Sequence, residues 1–477
     1  LQPDDWSQLE PLYRDLADRA INSPDDLRQW LSDYSDLEET VDEFGSRRYI
    51  AKSCHTDDDE IEKAYLFFVE QIVPKIQPWD DKLHRKFLDS PHRAQLTEPP
   101  FPLLARKWQA DVDLYRDANV PLFTEDTKLG VKYDKICGAM TVQFKGKTLT
   151  MPQLGKYFED TDRQTRHDAY DLWVKRRLQD REALDDIFDQ MVPLRHRIAQ
   201  NADKPTYREV MWQAKKRFDY TPDDCHAYAD AVEAVVVPFV SELHDKRQSD
   251  MGVDTLRPWD TSVDPKGRPP LRPFEQDDIA GFVKKTRQMI ARVSPVLGEE
   301  FDTLKLGPNL DLDSRPGKAP GGYQSSLEKV KEPFIFMNAT GQQGDIETLL
   351  HEAGHAFHFI GSARDVPLSF VRHAPMEFCE VASMAMELLA ADKYNAFYDE
   401  PGAARAMRSA LERSITVLPW VALIDQFQHW IYTNPEHTRD ERTENWLKTF
   451  NRFSSDRVDW SGYEDYRAAR WQVQLHL

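Results

Sequence analysis

The 477-residue chain is poor in cysteine and glycine and has too few basic residues to balance its acids. Its four cysteines stand alone without a CxxC pair, which excludes a disulfide framework and favours free thiols in a reducing cytoplasm. The 62 Lys+Arg and 82 Asp+Glu leave a formal net charge of −20, which argues against nucleic acid and basic membrane contacts. No apolar run reaches the roughly 18 residues of a membrane span, and we expect no signal peptide.

The composition favours a mainly α-helical protein. Only 19 glycines stand against 30 prolines, and amphipathic, charge-rich segments fill most of the chain, so the prolines are expected at helix starts and loops. Residues 1–125 are predicted to be helical, and longer helical segments are predicted at 161–201 and 221–248. Residues 140–150 alternate apolar and polar side chains and predict a β-hairpin.

The pattern changes near residue 302, where short strand-like segments predict a small sheet before helices resume. These segments are 303–306, 323–326 and 333–337. Residues 345–360, DIETLLHEAGHAFHFI, then carry apolar positions at helical period. Gly344-Asp345 predicts the start of this helix, and Gly361 predicts its end.

This helix contains an HExxH motif at residues 351–355. Because residues four apart lie one turn apart on the same face, His351 and His355 can bind one metal ion. Glu352 follows the first histidine, where a carboxylate can take a proton from a metal-activated water. The motif predicts a zinc site with Glu352 as the general base, but it does not identify the class of peptidase.

Zinc at a catalytic site needs a third protein ligand and an open position. The metzincin arrangement is excluded because Gly361, and not histidine, stands six residues after His355. We therefore expect the third ligand from a second helix, 375–390, which has an apolar stripe and three carboxylates on another face. Spacing alone does not choose among these carboxylates, which are Glu377, Glu380 and Glu387. His358 shares the face of the motif histidines and is expected to support them by hydrogen bonding.

These residues resemble a known family. HEAGHAFH, followed by CEVAS with its glutamate 29 residues beyond the first histidine, is similar to the thimet oligopeptidase and oligoendopeptidase F family of zinc peptidases. Residues 256–260, 315–323 and 333–338 resemble the oligoendopeptidase F branch. The resemblance implies one Zn²⁺ per chain, with Glu380 as the third ligand. We expect Glu377, like His358, to support the ligands without binding the metal.

The resemblance also implies the fold: a two-lobed, neurolysin-like helical zincin with a deep channel and a small sheet beside the HExxH helix. We expect short unfolded peptides to enter the channel and to add a strand to the sheet edge. By position, we assign that edge to residues 333–340, including Phe336 and Asn338. A mobile substrate loop is predicted, consisting of Gly321, Gly322 and Tyr323.

The last residues resemble the family segment that leads into a catalytic histidine, which implies that His476 stabilises the oxyanion. The tyrosines that follow this histidine in the family would lie beyond Leu477. We therefore expect the chain to lack its C-terminal end and to turn over peptide slowly. We divide it into an N-terminal helical region, 1–200, which includes the hairpin, and a catalytic zinc-peptidase region, 201–477.

The predicted function is zinc-dependent endopeptidase activity on internal bonds of short oligopeptides in the cytoplasm, without nucleic-acid or membrane partners. Two alternatives stay open. A helical zinc metallocarboxypeptidase uses a similar HExxH-plus-glutamate site but releases only C-terminal residues. A catalytically weak relative would bind peptides without efficient cleavage.

Overall fold

The computed structural model describes residues 1–474, which are mostly helical. No helix in this described part is both long and apolar enough to cross a membrane. The helices before residue 202 are α1 (Trp6–Asp18), α2 (Pro24–Cys54), α3 (Asp59–Phe67), α4 (Val73–Leu88), α5 (Phe101–Leu114), α6 (Val120–Gly138), α7 (Met151–Gly155), α8 (Arg163–Gln179) and α9 (Arg181–Asn201). Those after it are α10 (Tyr207–Ala214), α11 (Pro222–Ala231), α12 (Val237–Met251), α13 (Ile279–Val293), α14 (Pro295–Phe301), α15 (Gln343–Asp365), α16 (Met376–Ala390), α17 (Glu400–Thr433), α18 (Arg439–Phe453) and α19 (Glu464–Ala469).

The two long helical segments predicted from the sequence are each divided. Residues 161–201 form α8 and α9, which meet at Asp180. Residues 221–248 contain α11 and α12, joined by a π-helical turn at Val232–Val236. Pro238 stands in the first turn of α12. Proline has no N–H to donate to the preceding turn, so a wider turn there lets the chain continue as one rod.

Several clusters of buried apolar side chains form the core of the described residues, and two of them are described here. In the N-terminal helices, Trp30 and Tyr34 are almost fully buried, and Trp108 packs on Tyr34 with ring centroids 5.9 Å apart. Helices α13 and α15 share a second core with the larger sheet. The Phe282 and Leu349 side chains are fully buried there. Burial of such large apolar groups is the main stabilising force for both cores.

The structure contains two small sheets. β1 (Thr141–Phe144) and β2 (Lys147–Thr150) pair antiparallel as a hairpin. The larger sheet has the strand order β3-β5-β4, with β3 (Leu310–Asp313) parallel and β4 (Tyr323–Leu327) antiparallel to β5 (Glu332–Ala339). The strand predicted at 303–306 is wrong, since only Leu306 forms an isolated bridge there.

The assignment of the peptide-binding edge to residues 333–340 is also wrong. β5 is the central strand, so its backbone groups are already paired with β3 on one side and β4 on the other. A strand can accept an added peptide only where its hydrogen-bonding groups are free. Within residues 1–474, β4 pairs with β5 alone and is therefore an edge strand, which packs against α15 and α2.

Helix α15 extends beyond both predicted ends, and Gly361 lies inside it. Asp345 is not the cap residue but stands in the first turn. Its Oδ2 accepts the backbone N–H groups of Thr340, Gly341 and Gln342, each at 2.8 Å. These three bonds fix the entry of the chain from β5 into α15, since they satisfy the backbone donors of the turn that precedes the helix.

Candidate metal centre

The histidines of the motif lie side by side on α15. Their ring centroids are 4.9 Å apart, and the ring planes are nearly perpendicular at 85°. His351 and His355 are partly buried, whereas most of the helix around them packs into the core. The helical spacing therefore brings the two imidazoles together as predicted.

Gly354 allows α16 to approach this face of α15. A Cβ atom at Gly354 would lie 2.6 Å from the carbonyl oxygen of Ala382 and 2.6 Å from the Cα of Ser383. No side chain fits in that space, so the two helix backbones touch there. α16 makes its contact through its buried residues Ser383, Met386 and Ala390.

The apolar stripe predicted on α16 does not make this contact. The side chains of Phe378 and Val381 are 64% and 55% exposed. The helical period identified an apolar face, but α16 packs on α15 through a neighbouring face, where Ala382 and Ser383 meet Gly354. This orientation turns Glu380 and Glu387 toward the histidines.

Glu380 reaches both histidines. Its Oε2 lies 3.1 Å from His351 Nε2, and its Oε1 lies 3.6 Å from His355 Nε2. Ligand atoms of all three residues lie within 4.8 Å of one another. Ser383 orients the carboxylate, because its hydroxyl donates to Glu380 Oε2 at 2.8 Å. Spacing left three glutamates as candidates for the third metal ligand, and Glu380 is the one that the fold brings close to both histidine rings.

The other two glutamates have different partners. Glu387 Oε1 lies 2.7 Å from His351 Nδ1 and so holds the ring from its far side. Glu377 pairs with Arg217 at 2.5 Å, away from the histidines. His358 lies next along α15, where burial lowers its pKa. The supporting role expected for Glu377 is thus taken by Glu387, because seven residues from Glu380 return to the same helix face.

Glu352 is buried beside the pair, with 6% of its surface exposed. Its Oε2 has no hydrogen-bond partner among the described residues. Burial raises the pKa of Glu352 to about 7, and the negative charge of Glu380 adds to the effect. An unpaired buried carboxylate oxygen is costly unless a ligand or substrate satisfies it.

The charges around the histidines suit a cation. Burial opposes a charge on His351, yet its bonds to Glu380 and Glu387 raise its pKa to about 10. The bond from His351 lowers the pKa of Glu380 to about 2. The group thus stabilises positive charge, and two imidazole nitrogens with one carboxylate are a donor set that zinc prefers. The residues fit a zinc ion.

The predicted substrate loop precedes β4 and is held in place by the sheet. The Asn338 amide donates to the carbonyls of Ala319 and Gly321, each at 3.0 Å. Gly322 packs closely on the sheet, since a Cβ there would lie 3.3 Å from the Phe336 carbonyl, tighter than an ordinary van der Waals contact. Phe336 itself is fully buried, so its prediction as a substrate contact is wrong.

A buried cation that the sequence reasoning missed anchors the same loop. The Lys318 ammonium donates to Asp311 Oδ1 at 2.8 Å and to the Met337 carbonyl at 2.6 Å. It also lies 4.4 Å above the Phe336 ring. No local pattern indicates this role, because the acceptors come from β3 and β5.

β4 also adjoins the general-base candidate, since the backbone of Gln324 faces the Glu352 carboxylate and offsets a small part of the rise in its pKa that burial causes. Tyr323 stacks on Phe336 with centroids 4.9 Å apart. Beside Gly322 and Tyr323 lies a cavity of about 440 Å³. Its other walls come from helices of the N-terminal half, including Lys52 and Tyr65, and from Trp471. His476, the predicted oxyanion residue, lies outside the described residues.

Comparison with known proteins accounts for this geometry. The family model of Peptidase family M3 matches residues 156–270 and 306–473, and the Peptidase M3 N-terminal domain matches residues 1–115. The chain belongs to Peptidase family M3. It is a metalloendopeptidase with the helical fold of that family, in which zinc dependence is general. The predicted family and the mainly α fold class are therefore confirmed.

Solved structures give the same result. A structure described as an oligoendopeptidase F superimposes with a TM-score of 0.94 at 27% identity, covering 100% of this chain and 83% of that one. PZ peptidase A with an inhibitor gives a TM-score of 0.94 at 26% identity, covering 100% of this chain and 84% of that one. An oligoendopeptidase F from Bacillus anthracis strain Ames gives a TM-score of 0.89 at 26% identity, covering 99% of this chain and 85% of that one. A search of the curated proteins found no match.

Proposed function

We propose that this M3 metallopeptidase hydrolyses internal peptide bonds of short, unfolded oligopeptides with one catalytic zinc ion per chain. One observation carries the proposal. His351, His355 and Glu380 converge beside a buried glutamate whose Oε2 has no partner among the described residues. Zinc held by these three residues would supply Lewis acidity, which makes a water molecule more acidic and polarises the scissile carbonyl.

Glu352 is proposed as the general base. Its carboxylate takes a proton from the attacking water as the C–O bond forms at the scissile carbonyl carbon. The same oxygen then delivers that proton to the leaving nitrogen as the C–N bond breaks. A pKa of about 7 suits both steps, because the group gives up and accepts a proton with similar ease near neutral pH.

Two residues position the proposed ligands. Glu387 accepts the Nδ1–H of His351, which leaves the Nε2 lone pair facing the centre. Ser383 holds Glu380 Oε2 through its hydroxyl and fixes the direction of the carboxylate. Because both contacts restrict rotation of the ligand side chains, the ligand atoms are preorganised before a metal binds.

The edge of β4 is proposed to bind substrate backbone in an extended form. β4 runs past Glu352 and packs beside both α15 and α2. Gly321, Gly322 and Tyr323 lead into this edge and border the cavity that the N-terminal helices close. A bound peptide that adds a strand must be extended, which favours short unfolded substrates over folded proteins.

The remaining proposals concern the chain as a whole. Residues 1–200 would form the helical wall opposite the catalytic region 201–477. His476 stays a prediction for oxyanion stabilisation. The described cysteines are free thiols, which supports a reducing cytoplasm as the compartment.

The test combines metal analysis with cleavage of blocked oligopeptides by the purified chain. We expect one zinc at the centre formed by His351, His355 and Glu380, products from internal bonds, and loss of cleavage with a chelator. Products shortened only from a free C-terminus would indicate a carboxypeptidase instead. Stoichiometric zinc without any cleavage would indicate a peptide-binding relative. Absence of bound zinc under saturating conditions would overturn the proposed centre.

A further inference from the structure

A second group of metal-ligating side chains lies between α11 and α17, away from the centre described above. Cys225 belongs to α11, and Asp425 and His429 belong to α17. Their ligand atoms all lie within 4.8 Å of one another. Asp425 and His429 are one helical turn apart, with Oδ2 3.4 Å from Nε2. Three different donor types from two packed helices therefore meet at one point.

A nucleophilic cysteine does not explain this group. In a cysteine nucleophile, an imidazole takes the thiol proton with one nitrogen and is held by a carboxylate through the other. Here His429 Nε2 faces Asp425, and Nδ1 accepts from Arg208 Nη1 at 3.3 Å. Both ring nitrogens are occupied, so neither serves as a base for Cys225. Burial raises the pKa of the Cys225 thiol to about 11, which also opposes a nucleophilic role.

We propose that Cys225, Asp425 and His429 bind a second divalent cation of the zinc class. Sulfur, nitrogen and oxygen donors together suit zinc, cobalt and cadmium better than magnesium or calcium, which prefer oxygen alone. As the metal–sulfur bond forms, the Cys225 thiol releases its proton to solvent. Thiolate and carboxylate then carry two negative charges, which balance the two positive charges of the cation.

The site would serve structure and not peptide hydrolysis. It joins α11 to α17, whose Arg413 pairs with the buried Glu347 of α15 at 2.9 Å. Cys225 and Asp425 are only partly buried, so an ion can enter from solvent. Binding to the folded chain alone stabilises it by mass action. The ion would therefore raise the thermal stability of the α11–α17 junction.

Arg208 competes with the ion in this arrangement. A guanidinium only donates, so its contact keeps Nδ1 of His429 unprotonated and leaves the ring proton on Nε2. A metal at Nε2 requires that proton to move to Nδ1, and the Arg208 contact opposes the move. Arg208→Met should therefore tighten binding of the second ion, whereas a purely adventitious site would be unaffected.

The experiment titrates zinc into the metal-free full chain and its variants by calorimetry. We expect two equivalents for the parent chain and one for Cys225→Ser, with the second affinity reduced more than about 100-fold. Cys379→Ser is the matched control, because this partly buried cysteine is not in the group. Cobalt should give a thiolate-to-metal charge-transfer band, which persists in His351→Ala and disappears in Cys225→Ser.

One equivalent of zinc in the parent chain would overturn the proposal, and so would a second equivalent that survives Cys225→Ser. If Cys225→Ser does not fold, zinc titration of Asp425→Asn and the cobalt spectrum of the parent chain test the same proposal. Absence of the band in the cobalt-loaded parent chain is then the contradicting result. None of these readouts depends on peptide cleavage, so failure here leaves the proposed peptidase centre untouched.

Discussion

Gly354 of α15 and Ser383 of α16 lie in backbone contact, so close that a Cβ atom on the glycine would be 2.6 Å from the Ser383 Cα. This contact determines how near α16 comes to the motif histidines. Ser383 then uses its hydroxyl to hold the carboxylate of Glu380. One glycine between two histidines thus controls the position of a residue 26 positions further along the chain.

Gly354→Ala should therefore separate α15 from α16 and move Glu380 away from both histidines. We expect destabilisation of about 1–3 kcal/mol from overpacking, together with weaker zinc binding. Zinc titration and thermal unfolding measure the two effects. Gly361→Ala on the same helix is the control, because a Cβ there meets nothing closer than Arg364 Nη2 at 3.9 Å. Equal zinc affinity in the two variants would contradict the packing argument.

Ser383→Ala should lower zinc affinity by about 10–100-fold, since it frees the Glu380 carboxylate to rotate. The overall fold should stay intact, because the change removes one buried hydroxyl and leaves its partner partly solvated. Ser362→Ala is a matched control on α15, where the hydroxyl donates only to the His358 carbonyl of its own helix. Competition with a zinc chelator of known affinity gives the comparison.

Glu387→Gln and Glu377→Gln form a pair that separates a positioning residue from a surface residue. Glu387→Gln should weaken zinc binding by about 10–100-fold, because the charge that orients His351 Nδ1–H is lost. Glu377→Gln should leave zinc affinity unchanged, since its partner is Arg217. The same effect from both substitutions would show that general charge, and not the contact to His351, is responsible.

Glu352→Gln should retain zinc and fold normally while peptide cleavage falls by about 10²–10⁴ in kcat. The amide keeps the size of the side chain but cannot carry a proton between water and the leaving nitrogen. Zinc content by elemental analysis and kcat on a blocked peptide are the two measurements. Cleavage at the parent rate would remove Glu352 from the proposed role.

The N-terminal core should make stability depend on pH. Burial raises the pKa of Asp80 from 3.8 to about 7, although Tyr34 donates to its Oδ1 at 2.8 Å. The folded state thus holds a proton more tightly than the unfolded state. The contribution of protonated Asp80 to the free energy of unfolding is full below about pH 4 and is lost as the pH rises through about 7.

Urea unfolding of the chain at a series of pH values between 4 and 8 tests this dependence. Asp80→Asn keeps an acceptor for Tyr34 and should reduce the loss of stability between pH 4 and pH 8. Asp81→Asn is the neighbouring control, since Asp81 pairs with Arg85 at 2.8 Å. An unchanged pH profile for Asp80→Asn would contradict the assignment.

The sequence predicted those parts of the centre that depend on local geometry. An α-helix repeats every 3.6 residues, so the HExxH spacing alone placed His351 and His355 on one face with Glu352 beside them. The apolar period and the small number of glycines likewise predicted a mainly helical chain. Residues 140–150 were recognised as a β-hairpin because alternation of apolar and polar side chains is also a local property.

Longer-range features were not predictable in the same way. The stripe on α16 was recognised from its period, but period does not reveal which face meets a neighbour. The contact at Gly354 decided this, and it left Phe378 exposed. Likewise, the peptide-binding edge was assigned from position along the chain, and position does not reveal that β5 is the central strand of the sheet.

The sequence by itself determined the zinc-peptidase motif, the proposed general base and the helical class, because each rests on residues within two helical turns of one another. Only the tertiary structure decided that Glu380 meets both histidines, that Glu387 supports His351, and that β4 forms the edge. Those relations join separate elements, and backbone contact between α15 and α16 and strand order within the sheet establish them. Helical spacing limits the candidates, and packing chooses among them.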